Sequence, residues 1–274
     1  MIGVVSDLLR CPRCGTELEP AGRSLRCRAG HVFDVARQGY VNLTQAAQPG
    51  HADTATMVAA RDALLGSGRY DVVIEAVLSM VPSGSTDLLD VGTGTGHYPA
   101  AVLDSLPAAR CLGLDVSVAA CRRAARAHPR LGVATADAWG QLPVADAAVD
   151  AVLSVFAPRN PVELARVLRP DGSVITVTPE PAHLIELRGA LGLLGVEADK
   201  QSRLAQSLSR PGFRALEHQQ VDEHQRWERE DAVHAVLMGP NAFHHTEVEI
   251  RDRAARLDWP RTVTIAARVT RWGR

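Results

Sequence analysis

The stretch Leu88-Leu-Asp90-Val-Gly92-Thr-Gly94-Thr-Gly96 decides the fold of this chain. It begins with apolar residues typical of a buried strand and ends where a helix is predicted, over residues 97–106. Its glycines, spaced G-x-G-x-G, let the backbone approach a ligand closely, because glycine has no side chain and tolerates left-handed turns. The stretch therefore predicts a strand, a ligand-binding turn and a helix in succession.

Short apolar strands alternate with helices on the carboxyl side of this turn. The sequence predicts strands at 88–91, 111–116, 133–136, 149–156 and 173–178, with helices at 97–106, 117–128 and 161–168. Two helices precede them, from Thr54 and over 70–81, and the last third predicts a helix at 182–194, a strand at 221–229, a helix at 230–238 and a strand at 262–271. We expect an α/β, Rossmann-like fold with a doubly wound, mostly parallel sheet and a terminal antiparallel strand pair.

The first three predicted strands each carry an acidic residue near their carboxyl end. Asp90 lies two positions before the first glycine, where a carboxylate would repel a pyrophosphate but attract the cationic amino acid end of S-adenosylmethionine. Asp115 is placed to accept hydrogen bonds from ribose hydroxyls, and Asp137, with Ala138 or Trp139, is placed to contact an adenine ring. Any one of these acids could instead be a helix N-cap.

Two short motifs near the start of the chain have the spacing of a small metal site. Cys11-Pro-Arg-Cys14 and Cys27-Arg-Ala-Gly-His31 bring four soft ligands within 21 residues. We predict that Cys11, Cys14, Cys27 and His31 bind one structural zinc ion; the alternative is a set of free thiols. The remaining Cys111 and Cys121 fall in a predicted strand and helix, as buried thiols do in a reducing compartment.

A polar segment with a Pro-Gly pair divides the chain into three predicted parts. Residues 41–53 are polar and contain Pro49-Gly50, which predicts a linker. We therefore expect a zinc-binding module at 1–40, a linker with helices at 41–81 and the main domain at 82–274.

Composition limits the classes of function. The chain has 274 residues and is 46% hydrophobic, which is typical of a globular protein. Its net charge of −1 argues against a surface that is positively charged overall for binding nucleic acid. No apolar stretch reaches transmembrane length, and the first residues lack the pattern of a signal peptide. We expect a cytoplasmic protein that does not contact membranes.

Seven motifs together resemble a known family, the bacterial 23S ribosomal RNA guanine-N1 methyltransferases with an N-terminal zinc finger, which are class I S-adenosylmethionine-dependent enzymes. The motifs are CPRC…CRAGH, FDVARQGYVNL, DTATMVAARDALLGSGRY, LLDVGTGTGHY, VFAPRN, ELARVLRPDGSVITVTPEPAHL and MGPNAF. The chain looks most like the branch that protects macrolide-producing actinobacteria. The resemblance implies methylation of a guanine in a domain II hairpin loop of 23S rRNA near the peptide exit tunnel, resistance to macrolides of the tylosin or mycinamicin type, and a homodimer.

The resemblance also implies roles for individual residues. Besides the zinc ligands, it implies that the cofactor is contacted by Tyr70, Gly94, Thr95, Gly96, His97 and His183, next to Asp90, Gly92, Asp115, Asp137 and Ala138. Tyr70 could instead be a core residue and His183 a surface residue of a first helical turn. We expect Phe156 and Pro158 at the site of methyl transfer, with Phe156 and either Trp139 or Tyr98 sandwiching the guanine. Glu180 or His183 is a candidate general base by position.

Recognition of the RNA is expected to involve the arginines of the zinc module, although arginine on a small polar module is usually only solvated surface. They are Arg10, Arg13, Arg23, Arg26, Arg28 and Arg37. Two alternatives remain open: a small-molecule methyltransferase of antibiotic biosynthesis, which would not need the zinc finger, and a non-catalytic zinc- and RNA-binding protein.

Metal analysis of the purified protein should find one zinc ion per chain, because four convergent ligands couple metal binding to folding of residues 1–40. The double substitution Cys11→Ala and Cys14→Ala should remove the metal and disrupt activity on RNA. A doubly substituted protein with stoichiometric zinc and full RNA activity would show that the ligand assignment is wrong.

Overall fold

The computed structural model describes residues 2–44, 49–50, 52–193, 195 and 199–274. It begins with a 3-10 helix, Ile2–Leu8. A small three-stranded antiparallel sheet follows, made of β1 (Leu18–Ala21), β2 (Ser24–Cys27) and β3 (Val32–Asp34).

The described residues also form an eight-stranded main sheet. Its strands are β4 (Tyr40–Asn42), β5 (Asp87–Val91), β6 (Arg110–Asp115), β7 (Leu131–Thr135), β8 (Val149–Val155), β9 (Leu168–Pro179), β10 (Arg214–Trp227) and β11 (Arg261–Gly273). Their order is β10-β11-β9-β8-β5-β6-β7-β4. All pairs from β9 to β4 are parallel, whereas β11 pairs antiparallel with both β9 and β10. The predicted doubly wound sheet with a terminal antiparallel pair is confirmed.

Helices cover the sheet. They are α1 (Ala55–Gly66), α2 (Asp71–Met80), α3 (His97–Ser105), α4 (Val118–Ala124), α5 (Pro161–Val167), α6 (Ile185–Leu191), α7 (Lys200–Ser209), α8 (Arg229–Leu237) and α9 (Glu247–Ala255). Side chains of Thr54, Ser117 and Asn160 accept hydrogen bonds from the first turns of α1, α4 and α5 and so begin these helices. None of the helices in the described part of the chain has the length and apolar character needed to cross a membrane.

Several predicted boundaries are wrong. The strand expected at 221–229 begins at Arg214 and ends at Trp227, because its first seven residues are exposed and polar enough to hide the alternation of a strand. The helix expected at 182–194 is shorter, Ile185–Leu191, with residue 194 outside the described residues. The polar helices α7 and α9 were not predicted.

The predicted linker at 41–53 begins with a strand. Tyr40–Asn42 (β4) pairs with Val133–Thr135 of β7, and the Thr135 hydroxyl donates to Asn42 Oδ1 at 2.6 Å while accepting from the Leu43 amide at 3.0 Å. Residues 45–48 and 51 of this segment lie outside the described residues. The chain that leaves the zinc-binding segment therefore forms the edge strand of the main sheet, beside β7.

The amino-terminal 3-10 helix is packed on the same sheet. Ile2 and Val5 belong to one buried cluster with Leu112 and Leu114 of β6. The backbone approach is close at Gly132 of β7, where a Cβ atom would lie 2.2 Å from Cγ2 of Val5. An Ala at this position must push the helix off the strand.

Gly132→Ala should therefore lower the free energy of unfolding by about 1–3 kcal/mol, the usual cost of overpacking. Urea unfolding of the zinc-loaded protein measures the change. Gly3→Ala is the matched control, because Gly3 lies in the same 3-10 helix with no atom within 4 Å of its Cβ position. Equal unfolding midpoints for Gly132→Ala and Gly3→Ala would contradict the close packing.

Candidate functional site

The four predicted metal ligands converge at the start of the chain. The ligand atoms of Cys11, Cys14, Cys27 and His31 all lie within 4.8 Å of one another. His31 Nδ1 is 3.5 Å from Sγ of Cys11 and 3.4 Å from Sγ of Cys27, and Sγ of Cys14 is 3.7 Å from Sγ of Cys27. Three thiols and an imidazole at these separations can surround one ion as a closed tetrahedral site, which suits a structural zinc.

Two tight turns bring these ligands together. The Gly15 amide donates to the Cys11 carbonyl at 2.8 Å, and the Gly30 amide donates to the Cys27 carbonyl at 2.9 Å. Gly30 has φ of +84°, a left-handed conformation that favours glycine. Each turn holds two ligands that are close in sequence. To complete the metal site, folding has only to pack one turn against the other.

The glycine turn between β5 and α3 is shaped by close packing on two sides. Gly92, Gly94 and Gly96 have φ of +76°, +54° and +79°. A Cβ atom on Gly92 would lie 2.5 Å from Cβ of Ala157, and one on Gly96 would lie 2.9 Å from Cβ of Ala127. At Gly94 the nearest group is instead the end of a long side chain, Arg61, whose Nη1 is 3.4 Å from the Cβ position. The turn thus leaves its middle glycine as the place where a ligand can approach the backbone.

Thr95 and His97 follow on the same turn. The Thr95 hydroxyl and the His97 Nε2 are buried and have no hydrogen-bond partner among the described residues. Burial lowers the pKa of His97. Buried polar atoms without partners are uncommon in folded proteins and often mark a place where a ligand or water completes the hydrogen bonds.

Asp90 and Asp115 meet beside the glycine turn. Asp90 is 2% exposed, and its burial, with the nearby charge of Asp115, raises its pKa to about 7. Asp115 accepts hydrogen bonds from the Gly94 and Ser117 amides, both at 2.8 Å, and burial raises its pKa as well. A buried and a half-buried carboxylate beside one turn suit a ligand that carries positive charge.

Asp137 and Ala138 lie at the same edge, after β7. Asp137 is exposed, and its Oδ1 accepts from the Trp139 amide at 2.9 Å. Ala138 is half-buried, and Trp139 is 64% exposed. The structure therefore leaves Asp137 free to face a ligand from solvent while its carboxylate also stabilises its own turn.

Three rings gather where β8 ends. The rings of Phe156 and His183 are stacked with centroids 5.9 Å apart, and Tyr70 meets both of them edge-on at 6.3 and 6.0 Å. Phe156 is 39% exposed and has φ of +51°, a strained conformation for a bulky residue. The structure thus brings together the residue before α2, the residue after β8 and the segment after β9, and one of the three rings is exposed on a strained backbone.

Hydrogen bonds define the protonation of the His183 ring. Its Nδ1 accepts from the Ala266 amide at 3.2 Å, so in the neutral ring the proton is on Nε2. Nε2 is 3.2 Å from the Tyr70 hydroxyl and donates to its oxygen. Both ring nitrogens are engaged, which favours a positioning role for His183 over that of a proton acceptor.

Glu180 is held in an ion pair, whereas Pro158 lies on an exposed loop. Glu180 Oε1 accepts from Arg268 Nε at 2.8 Å, and the side chain is 12% exposed. The ion pair holds the carboxylate against β11. Pro158 is exposed on the loop that follows Phe156. Tyr98, a candidate for the base sandwich, has its hydroxyl buried without a partner among the described residues.

Sequence reasoning missed two charged residues at the glycine turn, Arg61 on α1 and Asp53 just before it. They form an ion pair, and Arg61 Nη2 also donates to the Met238 carbonyl at 2.6 Å. Both lie in the motif DTATMVAARDALLGSGRY, and their presence in that motif was the available signal. Their position beside Gly94 depends on how α1 packs, which residue spacing does not reveal.

Two family models match the chain. Residues 9–48 match the zinc-ribbon model described as "RlmA, N-terminal", and residues 88–172 match the model of a methyltransferase domain. A chain of the solved complex between the Trm112 methyltransferase activator of Haloferax volcanii and its provisionally assigned methyltransferase has a TM-score of 0.55 and 19% identity, covering 83% of this chain and 99% of that chain. The fold is that of class I methyltransferases, which implies S-adenosylmethionine as cofactor, and the ribbon with its Cys3His cluster supports a structural zinc.

Curated relatives match nearly the whole chain. The 23S rRNA (guanine(748)-N(1))-methyltransferase of Streptomyces fradiae is 45% identical over 96% of this chain and 95% of its own length. A protein of Micromonospora griseorubida, provisionally named for guanine-N1 methylation of 23S rRNA, is 46% identical over 96% of both chains. These matches confirm the resemblance found in the motifs. With its zinc ribbon and its methyltransferase domain, this chain is an enzyme that belongs to the 23S rRNA (guanine-N1)-methyltransferase family.

Proposed function

We propose that the protein methylates N1 of a guanine in the domain II hairpin loop of 23S rRNA near the peptide exit tunnel, and that this gives resistance to macrolides of the tylosin or mycinamicin type. The name of the Streptomyces fradiae relative specifies guanine 748, and we propose the same position here. The observation that carries the proposal is the stacked pair Phe156 and His183 at the sheet edge that also holds the glycine turn. This arrangement provides a surface for a flat base next to a cofactor site.

The cofactor is proposed to lie across the carboxyl ends of β5, β6 and β7. S-adenosylmethionine supplies an electrophilic methyl group when it is bound. The backbone of Gly92, Gly94 and Gly96 is proposed to cradle its amino acid end, with Asp90 facing the ammonium group. Asp115 has lone pairs left to accept ribose hydroxyls, and Asp137 with Ala138 is proposed to contact adenine. Tyr70, Thr95, His97 and His183 complete the proposed set around the methyl group.

The target guanine is proposed to stack on Phe156. A base inside a folded hairpin is accessible only when it is splayed out, and aromatic faces commonly hold such bases. The rings of Tyr70 and His183 pack against the Phe156 ring, and Pro158 lies exposed on the same loop, where it is proposed to border the guanine. The strained backbone of Phe156 supports this role, because strain of this kind is concentrated at functional sites.

Guanine N1 loses its proton as the methyl group is transferred, and the described residues give little support for a strong protein base. His183 uses both nitrogens, and Glu180 is paired with Arg268. The role of Glu180 as base stays a prediction. We propose that orientation of the base against the methyl group and exclusion of water supply most of the acceleration.

The zinc ribbon is proposed to bind the RNA. Five of its six arginines, all except Arg10, are exposed, whereas Arg10 is half-buried and pairs with Glu17 at 3.7 Å. Exposed guanidinium groups can bind phosphates of a folded hairpin without a high net charge. The ribbon is attached through β4 to the same sheet edge, which favours one continuous RNA surface. The homodimer stays a prediction.

Affinity for S-adenosylhomocysteine should rise with pH between 5.5 and 7.5, because Asp90 has a pKa of about 7 and attracts the ligand ammonium only when it is ionised. Calorimetry across this range measures the change. Asp90→Asn should weaken binding at pH 7.5 and flatten the profile, whereas the exposed Asp137→Asn should keep the pH dependence. An unchanged profile for Asp90→Asn would assign the titration to another group, with Asp115 the nearest.

Reverse transcription of treated 23S RNA should stop one nucleotide before the target guanine, because a methyl group on N1 blocks the Watson–Crick edge. The test uses purified protein, S-adenosylmethionine and protein-free 23S RNA or its domain II hairpin. Gly94→Val should give no stop, since it adds bulk where the ligand approaches the turn. Expression should also raise tolerance of a macrolide whose sugars reach this loop.

Other outcomes correct the proposal in defined ways. A stop at another guanine moves the target. Absence of RNA methylation together with methylation of a macrolide would favour the small-molecule alternative, and absence of any turnover would favour a non-catalytic binding protein.

A further inference from the structure

Arg61 faces the part of the glycine turn where a ligand can approach. It extends from α1, its side chain is 23% exposed, and its Nη1 lies 3.4 Å from the Cβ position of Gly94. Nη2 donates to the Met238 carbonyl at 2.6 Å, which holds one edge of the guanidinium. The other edge, at Nη1, is paired with the carboxylate of Asp53.

Asp53 is tied to the same turn through its backbone. Its carbonyl accepts from the Ser117 hydroxyl at 2.6 Å, and the Ser117 amide donates to Asp115, which in turn accepts from the Gly94 amide. This chain of hydrogen bonds places Asp53 next to the carboxylate proposed for the ribose. The Asp53 carboxylate itself pairs with Arg61 Nη1, the atom that lies 3.4 Å from the Cβ position of Gly94.

The charged side chains named near the glycine turn are mostly acidic. Asp53 raises the pKa of Asp115 after the larger effect of burial, and Arg61 lowers it. Asp90 lies close enough for Asp115 to raise its pKa too. In this part of the described structure, Asp53 and Asp115 thus lie near the Arg61 guanidinium, and Asp90 lies near Asp115. A ligand that brings both an ammonium and a carboxylate finds acidic partners for the first and Arg61 for the second.

We propose that Arg61 binds the α-carboxylate of the cofactor and that the Asp53 carboxylate occupies Arg61 until the cofactor replaces it. The inference rests on the proposed cofactor site and deepens it. Asp53 and the ligand carboxylate have the same chemistry, so they compete for the same Nη1 edge. Asp53 is then an internal competitor that lowers the affinity for any ligand with an amino acid end.

If the ligand carboxylate replaces Asp53 on Arg61, removing the charge of Arg61 and removing the charge of Asp53 should have opposite effects on ligand affinity. Removing the charge of Arg61 takes away a charge-assisted hydrogen bond to the ligand and should weaken binding. Removing the charge of Asp53 frees Arg61 and should strengthen binding. A ligand without an amino acid end should not respond to either change.

The test is calorimetric binding, without RNA, of S-adenosylhomocysteine and of 5′-methylthioadenosine, which lacks the carboxylate and the ammonium. Arg61→Gln should weaken S-adenosylhomocysteine binding roughly tenfold or more and leave methylthioadenosine binding unchanged. Asp53→Asn should strengthen S-adenosylhomocysteine binding severalfold, again without effect on methylthioadenosine. Arg61→Lys, which keeps the charge, should retain part of the affinity for S-adenosylhomocysteine.

A neighbouring ion pair gives the matched control. Asp62 of α1 pairs with Arg123 of α4 at 2.8 Å, and the two side chains are 41% and 42% exposed. Asp62→Asn and Arg123→Gln should leave both affinities unchanged. Thermal unfolding of each variant separates loss of binding from loss of fold.

Two results would overturn the inference. Equal weakening of both ligands by Arg61→Gln would show that Arg61 supports the turn and not the carboxylate. Weaker S-adenosylhomocysteine binding in Asp53→Asn would show that Asp53 positions Arg61 and does not compete with the ligand. Failure of the unsubstituted protein to bind either ligand would instead overturn the proposed cofactor site on which the inference depends.

Discussion

The close packing of the glycine turn between β5 and α3 is the constraint on which the rest of the site depends. Gly92 lies against Ala157 after β8, and Gly96 lies against Ala127 after α4, at distances that leave no room for a side chain. The turn therefore joins three neighbouring strand–helix units at one point. Since Asp115 accepts from the Gly94 amide, the same turn also positions the carboxylate of the next strand.

The zinc ribbon is connected through β4 to the main sheet that carries this turn. A closed Cys3His site orders a segment that is too short to build a core of its own, because metal binding supplies folding free energy. The chain leaves it as β4, pairs with β7, and shares the Asn42 and Thr135 hydrogen bond close to Asp137. The zinc-binding segment, whose strands form a separate three-stranded sheet, is thereby tied to the main sheet beside the strand that precedes Asp137.

Two energetically costly features lie near the glycine turn. Asp90 is a buried carboxylate and Asp115 is a half-buried one, and desolvation raises the pKa of both. Phe156 has a left-handed backbone conformation, and its ring meets those of Tyr70 and His183. Such features destabilise the protein itself and are concentrated at functional sites.

The sequence by itself determined the features whose signal is local. Apolar periodicity predicted the central strands and their helices, the Cys and His spacing predicted the metal cluster, and the glycine spacing predicted the ligand-binding turn. Only the tertiary structure decided the features that join distant segments: β4 on the sheet edge, the exposed first half of β10, the cluster of Tyr70, Phe156 and His183, and the pair Asp53 and Arg61 beside Gly94. The physical reason is that these contacts depend on packing between elements far apart in the chain, and their polar or solitary residues leave no periodic pattern along it.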